Sequence, residues 1–342
     1  MIEHDMQNSS SSTVVCCIES GPLEQMTLRM ISSLRHFGGL LANAEVIAVY
    51  PRQGPRISST TMQALSALNV NYVECKNNSV YSWNNFMNKP KALLYAEKYS
   101  SSETLLWLDS DILVTDCLGD LSLSHVQSTS LDTIQHHFAA CPSDKNIGTT
   151  GTSDENDIFW QAICKELRID IENLPWVETC TEKKVIRWYF NSGVFSFQRQ
   201  SGFAQQFYDY CCTILDSHIA SQKAGIFFTD QVCMGLAAYS LGLPTAILEH
   251  KFNFALGSRE RNIQTDVVKN AAILHYHDAL WPHEWYNTES LLLKYRPDVY
   301  DFIKKFGPLQ SEKSLSHKIL RKIISTSRAW KLKKHLSRCT FY

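Results

Sequence analysis

Short, mainly apolar runs, separated by segments with helical spacing, fill the first third of the chain. The runs lie at 13–18 (TVVCCI), 45–50, 70–75 and 104–108, and each predicts a buried strand. Between them, 23–36, 60–68 and 91–99 place their apolar residues on one helical face. Strands that are apolar throughout need cover on both faces, and alternation with helices supplies it. The first 110 residues therefore predict a Rossmann-like β-α-β-α half with a parallel sheet.

Periodicity weakens across 120–186, a stretch rich in Ser, Thr, His and Trp that predicts a strand-and-loop excursion around a cleft. Regular structure resumes at 185–198 (VIRWYFNSGVFSFQ) and continues through helices at 201–215 and 230–241 and short strands at 245–248 and 271–275. Beyond Gly307, Leu315, Ile319, Ile323, Ile324 and Trp330 recur among basic residues and predict an amphipathic helix. The expected organisation is a flexible 1–12, one domain at 13–306 and a basic tail at 307–342. Within the domain, 13–119 would be the nucleotide-binding half and 120–306 the sugar- and acceptor-binding half.

Composition fits a globular enzyme: 44% of the 342 residues are hydrophobic, 11% aromatic and 20% charged. A net charge of −1 excludes a generally basic nucleic-acid binder. That sum hides an asymmetry, because residues 312–342 hold nine Lys or Arg and one acid, whereas 1–311 hold 24 basic and 33 acidic residues. A basic amphipathic helix on an acidic body has two readings, a peripheral contact with anionic lipid or packing against the body itself. Eleven cysteines with no C-x-x-C spacing argue against a zinc ribbon and for a reducing cytoplasm. The polar opening MIEHDMQNSSSST has no signal-peptide pattern, and no uncharged run reaches membrane-spanning length.

Neither a Gly-x-Gly-x-x-Gly fingerprint nor a Walker A lysine follows an early strand, so phosphate has to be neutralised by other means. Asp109-Ser110-Asp111 leaves the apolar run LLWL directly, at the carboxyl end of a predicted strand, where open α/β sheets bind ligands. Asp-x-Asp arises by chance roughly once in a chain of this size, so its position carries the weight. Two carboxylates emerging together from a buried strand repel each other, and Mg2+ or Mn2+ offsets that cost while bridging to a diphosphate.

With LLWLDSDILV, three further segments occur in order: Tyr189-Phe190-Asn191-Ser192-Gly193-Val194, Thr229-Asp230-Gln231 with LGLPTAILEHKFNF, and Ile273-Leu274-His275-Tyr276. The set resembles the retaining GT-A glycosyltransferases of the glycogenin-like and galactosyltransferase-like family, over roughly residues 13–285. The resemblance implies a mixed, mainly parallel sheet flanked by helices, a nucleoside diphosphate sugar donor (a UDP-sugar favoured) and a carbohydrate or lipid-linked acceptor. It implies a metal held by Asp109, Asp111 and His275, with His277 as a substitute. Asp230 and Gln231 would face the reacting carbon, and Asn191, Ser192, Gly193, Ser110 and Asp109 the donor. Lys91 would lie near the donor, and Glu19 and Ser20 near its base and ribose. Plainer readings stand beside these: Asp230 as a helix cap, Asn191 as a bulge, Lys91 as a solvated lysine.

After His275 the family's Lys-Pro-Trp is replaced by Leu280-Trp281-Pro282, so Arg259 or Lys251 would supply the charge, or the metal acts alone. A haloacid-dehalogenase-type phosphatase would want Thr or Val where Leu113 stands. A nucleotidyltransferase would want a basic, Gly-rich loop where Glu19-Ser20-Gly21-Pro22 stands. A non-catalytic nucleotide-sugar or glycan binder remains as the third alternative.

Overall fold

The computed structural model describes residues 12–121, 123, 136–256, 265–311 and 314–342, apart from Gln53 and Asn77. The expected flexible start, Arg259 and residues 122 and 124–135 of the excursion lie outside the described residues.

The first half contains β1 (Ser12–Cys17), α1 (Pro22–Phe37), β2 (Glu45–Tyr50), α2 (Ser59–Ala67), β3 (Val70–Glu74), α3 (Asn88–Tyr99) and β4 (Thr104–Leu108). The middle contains β5 (Ile112–Val114), β6 (Phe138–Pro142), α4 (Asp157–Glu166), β7 (Trp176–Glu178), β8 (Val185–Arg187) and β9 (Phe190–Gln198). Next come α5 (Phe203–Asp216), β10 (Ile219–Ala220), α6 (Thr229–Ser240), β11 (Thr245–Ile247), β12 (Phe254–Ala255), α7 (Thr265–Asn270) and β13 (Ile273–His275). The chain ends in α8 (Trp285–Tyr295), α9 (Pro297–Ile303), α10 (Leu315–Leu336) and β14 (Thr340–Phe341).

Seven strands form the central sheet, in the order β11-β6-β9-β4-β1-β2-β3. All its pairings are parallel except those of β9 with β4 and β6, so the sheet is mixed and mainly parallel, as expected. Apolar side chains cover both faces: Val15, Leu105 and Trp107 join the residues of α3, α5 and α6, while Val14, Leu106 and Leu108 join those of α1. The C-terminal edge carries a smaller sheet, β12-β13-β5, with its own core against α8 and α9.

The run at 185–198 divides between two sheets: β8 pairs with β7 in a separate two-stranded sheet, and only β9 enters the central one. The 120–186 excursion also contains α4, whose Phe159, Trp160, Ile163 and Cys164 are buried at helical spacing, and a central strand, β6.

The tail helix forms, but four of its five expected apolar residues point away from the body. Leu315, Ile319, Ile323 and Trp330 are 71%, 54%, 61% and 61% exposed. Arg321, Ile324 and Arg328 face the body instead, at positions that share one helical face. Among the described residues, no helix is long and apolar enough to cross a membrane.

Candidate functional site

The strand β4 delivers Asp109 and Asp111 to the carboxyl edge of the sheet, and β9 runs antiparallel beside it with Leu108 opposite Val194. The ladder continues one step, Asp109 N–H donating to Gly193 O at 2.9 Å, so Asp109 and Asn191-Ser192-Gly193 share one rim. On the other side β5 pairs with β13, placing Ile112 opposite His275, and Tyr276 N–H donates to Asp111 O at 3.0 Å. Three separated sequence segments thus meet by strand pairing alone.

His275 Nε2 lies 3.2 Å from Asp111 Oδ1, and His277 Nδ1 lies 3.7 Å from Asp111 Oδ2. Side chains two residues apart share a face only along an extended strand, yet β13 ends at His275. A left-handed φ of 46° at His277 turns the chain back and stacks the two imidazoles 4.1 Å apart. Ligand atoms of Asp111, His275 and His277 all fall within 4.8 Å of one another, and such an oxygen and imidazole set fits Mn2+.

Electrostatics agree with this fit. Burial acts to raise the Asp111 carboxyl, but the neighbouring His275 and His277 outweigh it and hold it well below the usual carboxylate range. Burial likewise disfavours the His275 imidazolium, yet Asp111 and Asp109 raise it above 6.5. Asn253 Oδ1 lies 3.0 Å from His275 Nδ1; with Nδ1 carrying a proton, Nε2 is left for a metal. Gly193 makes room for this ring, because a Cβ there would fall 2.6 Å from His275 Cε1.

Asp109 is engaged differently. Trp107 Nε1 donates to its Oδ1 at 2.7 Å, and Lys89 Nζ stands 3.3 Å away. The same buried ammonium is 3.3 Å from Asp230 Oδ2 and donates to Ser192 O and Oγ at 2.7 and 2.8 Å. Burial opposes the charge on Lys89, but the two aspartates prevail and raise its pKa. Ser192 Oγ also donates to Asp230 at 2.9 Å. Asp230 follows the cap residue Phe228 by two positions and spends its carboxylate on Lys89 and Ser192, so it is not the helix cap.

The cleft, about 520 Å³, is lined by Glu19, Asp109, Ser110, Asp111, Asn191, Ser192, Gly193, Asp230, Gln231, His275 and His277. Ser20 sits at its neighbouring cavity. Lys91 lines neither; the lysine of the cleft is Lys89. Helix α3 starts at Asn88 rather than at 91, and residues two apart point to nearly opposite sides of a helix. Lys251 pairs with Glu249 at 3.0 Å and also lies off the cleft, so among the described residues Lys89 and Arg52 provide its positive charge. Asn191 Oδ1 accepts from Gly193 N–H at 2.8 Å, bracing the strand, and Ser110 donates to Cys17 O at 2.9 Å.

Two buried acceptors in the cleft, Gln231 Oε1 and Asn88 Oδ1, have no protein partner. Buried polar atoms are usually satisfied, and sugar hydroxyls would satisfy these. Asn88, Lys89 and Asn253 were missed from the sequence, whereas His277 was expected only as a substitute for His275. Only Asn253 had a legible signal, as the last residue of the LEHKFN segment.

A family model described as a Rhodobacterales glycosyltransferase domain matches residues 14–242. No curated protein sequence matches the chain. Among solved structures, the apo form of the bifunctional glycosyltransferase WbbM is 14% identical with a TM-score of 0.48, over 88% of this chain and 52% of that one. The apo form of GlyE, a glycosyltransferase of Streptococcus pneumoniae TIGR4, is 13% identical with a TM-score of 0.46, over 89% and 66%. The galactosyltransferase LgtC, in complex with donor and acceptor sugar analogs, is 12% identical with a TM-score of 0.46, over 83% and 96%. The chain thus spans about half the length of the first of these and about two thirds of the second.

Proposed function

Since this chain belongs to the Rhodobacterales glycosyltransferase domain family, we propose that it is a metal-dependent transferase moving a sugar from a nucleoside diphosphate sugar to a hydroxyl acceptor. The observation that carries the reading is the meeting of Asp111, His275 and His277 beside the buried Lys89, Asp109 and Asp230 cluster. A UDP-sugar is the favoured donor, and a carbohydrate or lipid-linked glycan the acceptor.

Asp111, His275 and His277 would hold Mn2+ or Mg2+, with Asp109 beside them. When bound, the cation supplies Lewis acidity that absorbs the negative charge developing on the departing diphosphate. The chain's own residues do the rest. Asp230 lies at the cleft wall, where its carboxylate opposes positive charge building on the donor sugar, and Lys89 holds it in place. Gln231 Oε1 and Asn88 Oδ1 accept from sugar hydroxyls and fix the donor's orientation. Retention is the stereochemistry we carry forward, and the anomer of the isolated product checks it.

A panel of nucleoside diphosphate sugars, scanned by thermal shift with and without Mn2+, tests the reading. Ligands that bind the folded state raise its melting temperature. We expect one donor class to stabilise the protein only with Mn2+. The Mn2+ affinity should weaken as pH falls through the raised His275 pKa, because a protonated imidazole cannot ligate. A panel with no metal-dependent shift and no hydrolysis sinks the enzyme reading and leaves a non-catalytic binder.

A peripheral contact of this enzyme with membranes, on the cytoplasmic side, is the companion proposal. Exposed Leu315, Ile319, Ile323 and Trp330 on a helix rich in Lys and Arg support it. The eleven free thiols support the reducing compartment. Full-length protein should float with vesicles containing anionic lipid, and Ile319→Glu with Ile323→Glu should reduce the floating fraction several-fold; equal flotation removes the membrane contact.

A further inference from the structure

The metal cleft opens beside a second cavity of about 730 Å³, within the size range of small-molecule sites. Glu19, Leu23, Arg52, Phe86 and Phe227 line both spaces, so one ligand can extend from the cleft into the cavity. Its outer wall is α10, which presents Arg321, Ile324 and Arg328 inward.

That wall is fastened at both ends. Arg321 Nη2 donates to Ser20 Oγ at 3.3 Å, and its guanidinium occupies the place where a Cβ on Gly21 would stand. Gly21 has a φ of 84°, so the absent side chain serves both its backbone and the arginine. At the other end β14 pairs in parallel with β10, and the His335 ring stacks on His218 with centroids 4.8 Å apart.

The charges around the cavity do not balance. Arg52, Arg321 and Arg328 face Glu19, the sole acid among its described lining residues, and Arg52 already holds that carboxylate at 2.7 Å. Burial, and then the charge of Arg52, lower the pKa of Arg328. Guanidinium groups packed this closely favour a ligand rich in acceptor oxygens. Tyr50, Trp83, Phe86 and Phe227 add aromatic surface to the same walls, suited to a flat heterocycle. Guanidinium groups both stack on such rings and donate to carbonyl and hydroxyl oxygens.

We propose that Arg321 and Arg328 bind the nucleoside end of the donor, making the C-terminal helix one wall of the donor site. The inference rests on the donor reading above and adds what that reading lacks, a determinant of nucleotide affinity at residues 321–328. A lipid phosphate is the competing occupant. Continuity with the metal cleft favours the nucleotide, since its diphosphate would lie at Asp111 while its base lies beneath α10.

Calorimetric titration of UDP, GDP and ADP with Mn2+ into the full chain tests it. Arg321→Ala with Arg328→Ala should weaken the preferred nucleotide at least tenfold, raise KM for the donor similarly and leave Mn2+ affinity unchanged. Arg321→Lys with Arg328→Lys, which keeps charge and length, should fall between the two and guards against misfolding of the alanine variant. Unchanged nucleotide affinity in the alanine variant overturns the inference while the donor reading stands. So does lost binding to anionic vesicles with nucleotide affinity intact. If the unaltered protein takes up none of the three nucleotides, the donor reading fails first and this inference with it.

Discussion

Lys89→Met should lower the free energy of unfolding by about 3–5 kcal/mol at neutral pH, more than most single substitutions do. Methionine preserves the length of the side chain but removes the charge that faces Asp109 and Asp230, both at 3.3 Å, and the bonds to Ser192. Asp230 is 4% exposed, so its carboxylate would be left without a compensating cation or water. The sign with pH follows from the raised Lys89 pKa. Its contribution is complete below the ordinary lysine value and fades only as pH rises through the folded value, so neutral solution shows the full effect. In the variant the deficit should shrink as pH falls into the acid range, because Asp109, already raised by burial, takes up a proton sooner without Lys89. Urea unfolding of wild type, Lys89→Met and the double variant with Asp230→Asn measures this. A loss below about 1 kcal/mol, or no recovery in the double variant, removes the central ion cluster as an energetic unit.

Most of the first half was legible because β1, β2 and β4 are buried on both faces, while the edge strand β3 is not. At 45–50 and 104–108 the apolar run and the strand coincide, and elsewhere the ends move by a residue or two. The division of the run at 185–198 is hidden for the same reason. Apolar character continues through Trp188 and Tyr189 while the chain passes from one sheet to another, and hydrophobicity records burial, not the sheet that provides it. Helix α4 had a usable signal in its paired apolar positions, which the polar surroundings of 143–156 obscured.

The site was legible where a side chain's role follows from strand position, as with Asp109, Asp111 and His275. It was illegible where the role depends on a turn or a helix start. His277, expected only in place of His275, joins Asp111 beside it through one left-handed residue, and Lys89 replaces Lys91 because Pro90 sits inside the first turn of α3, where a missing N–H costs little. The tail shows a further limit. A hydrophobic periodicity marks which residues share a face, yet α10 turns Arg321 and Arg328 toward the body together with Ile324 and leaves Leu315, Ile319, Ile323 and Trp330 outward.

Asp111→Asn should reduce metal-dependent turnover by about 10³-fold while the protein stays folded, an effect of about 4 kcal/mol on the transition state. The substitution keeps the backbone carbonyl that accepts from Tyr276 N–H, so the pairing of β5 with β13 survives. What it removes is a carboxylate that His275 and His277 hold ionised far below neutral pH, the one fixed negative charge in the three-residue cluster. Two imidazoles alone bind a hard divalent cation weakly, and His277, 42% exposed at its side chain, is the looser of them. His275 also loses the neighbour that most raises its pKa, so proton competition at that ring should ease even as metal affinity falls. These two effects separate metal binding from acid–base chemistry: raising Mn2+ should restore part of the turnover, whereas raising pH should not. Retention of more than a tenth of wild-type turnover at equal Mn2+ would mean that Asp111 does not hold the cation, and that the charge on the leaving diphosphate is met by Lys89 and Arg52 instead.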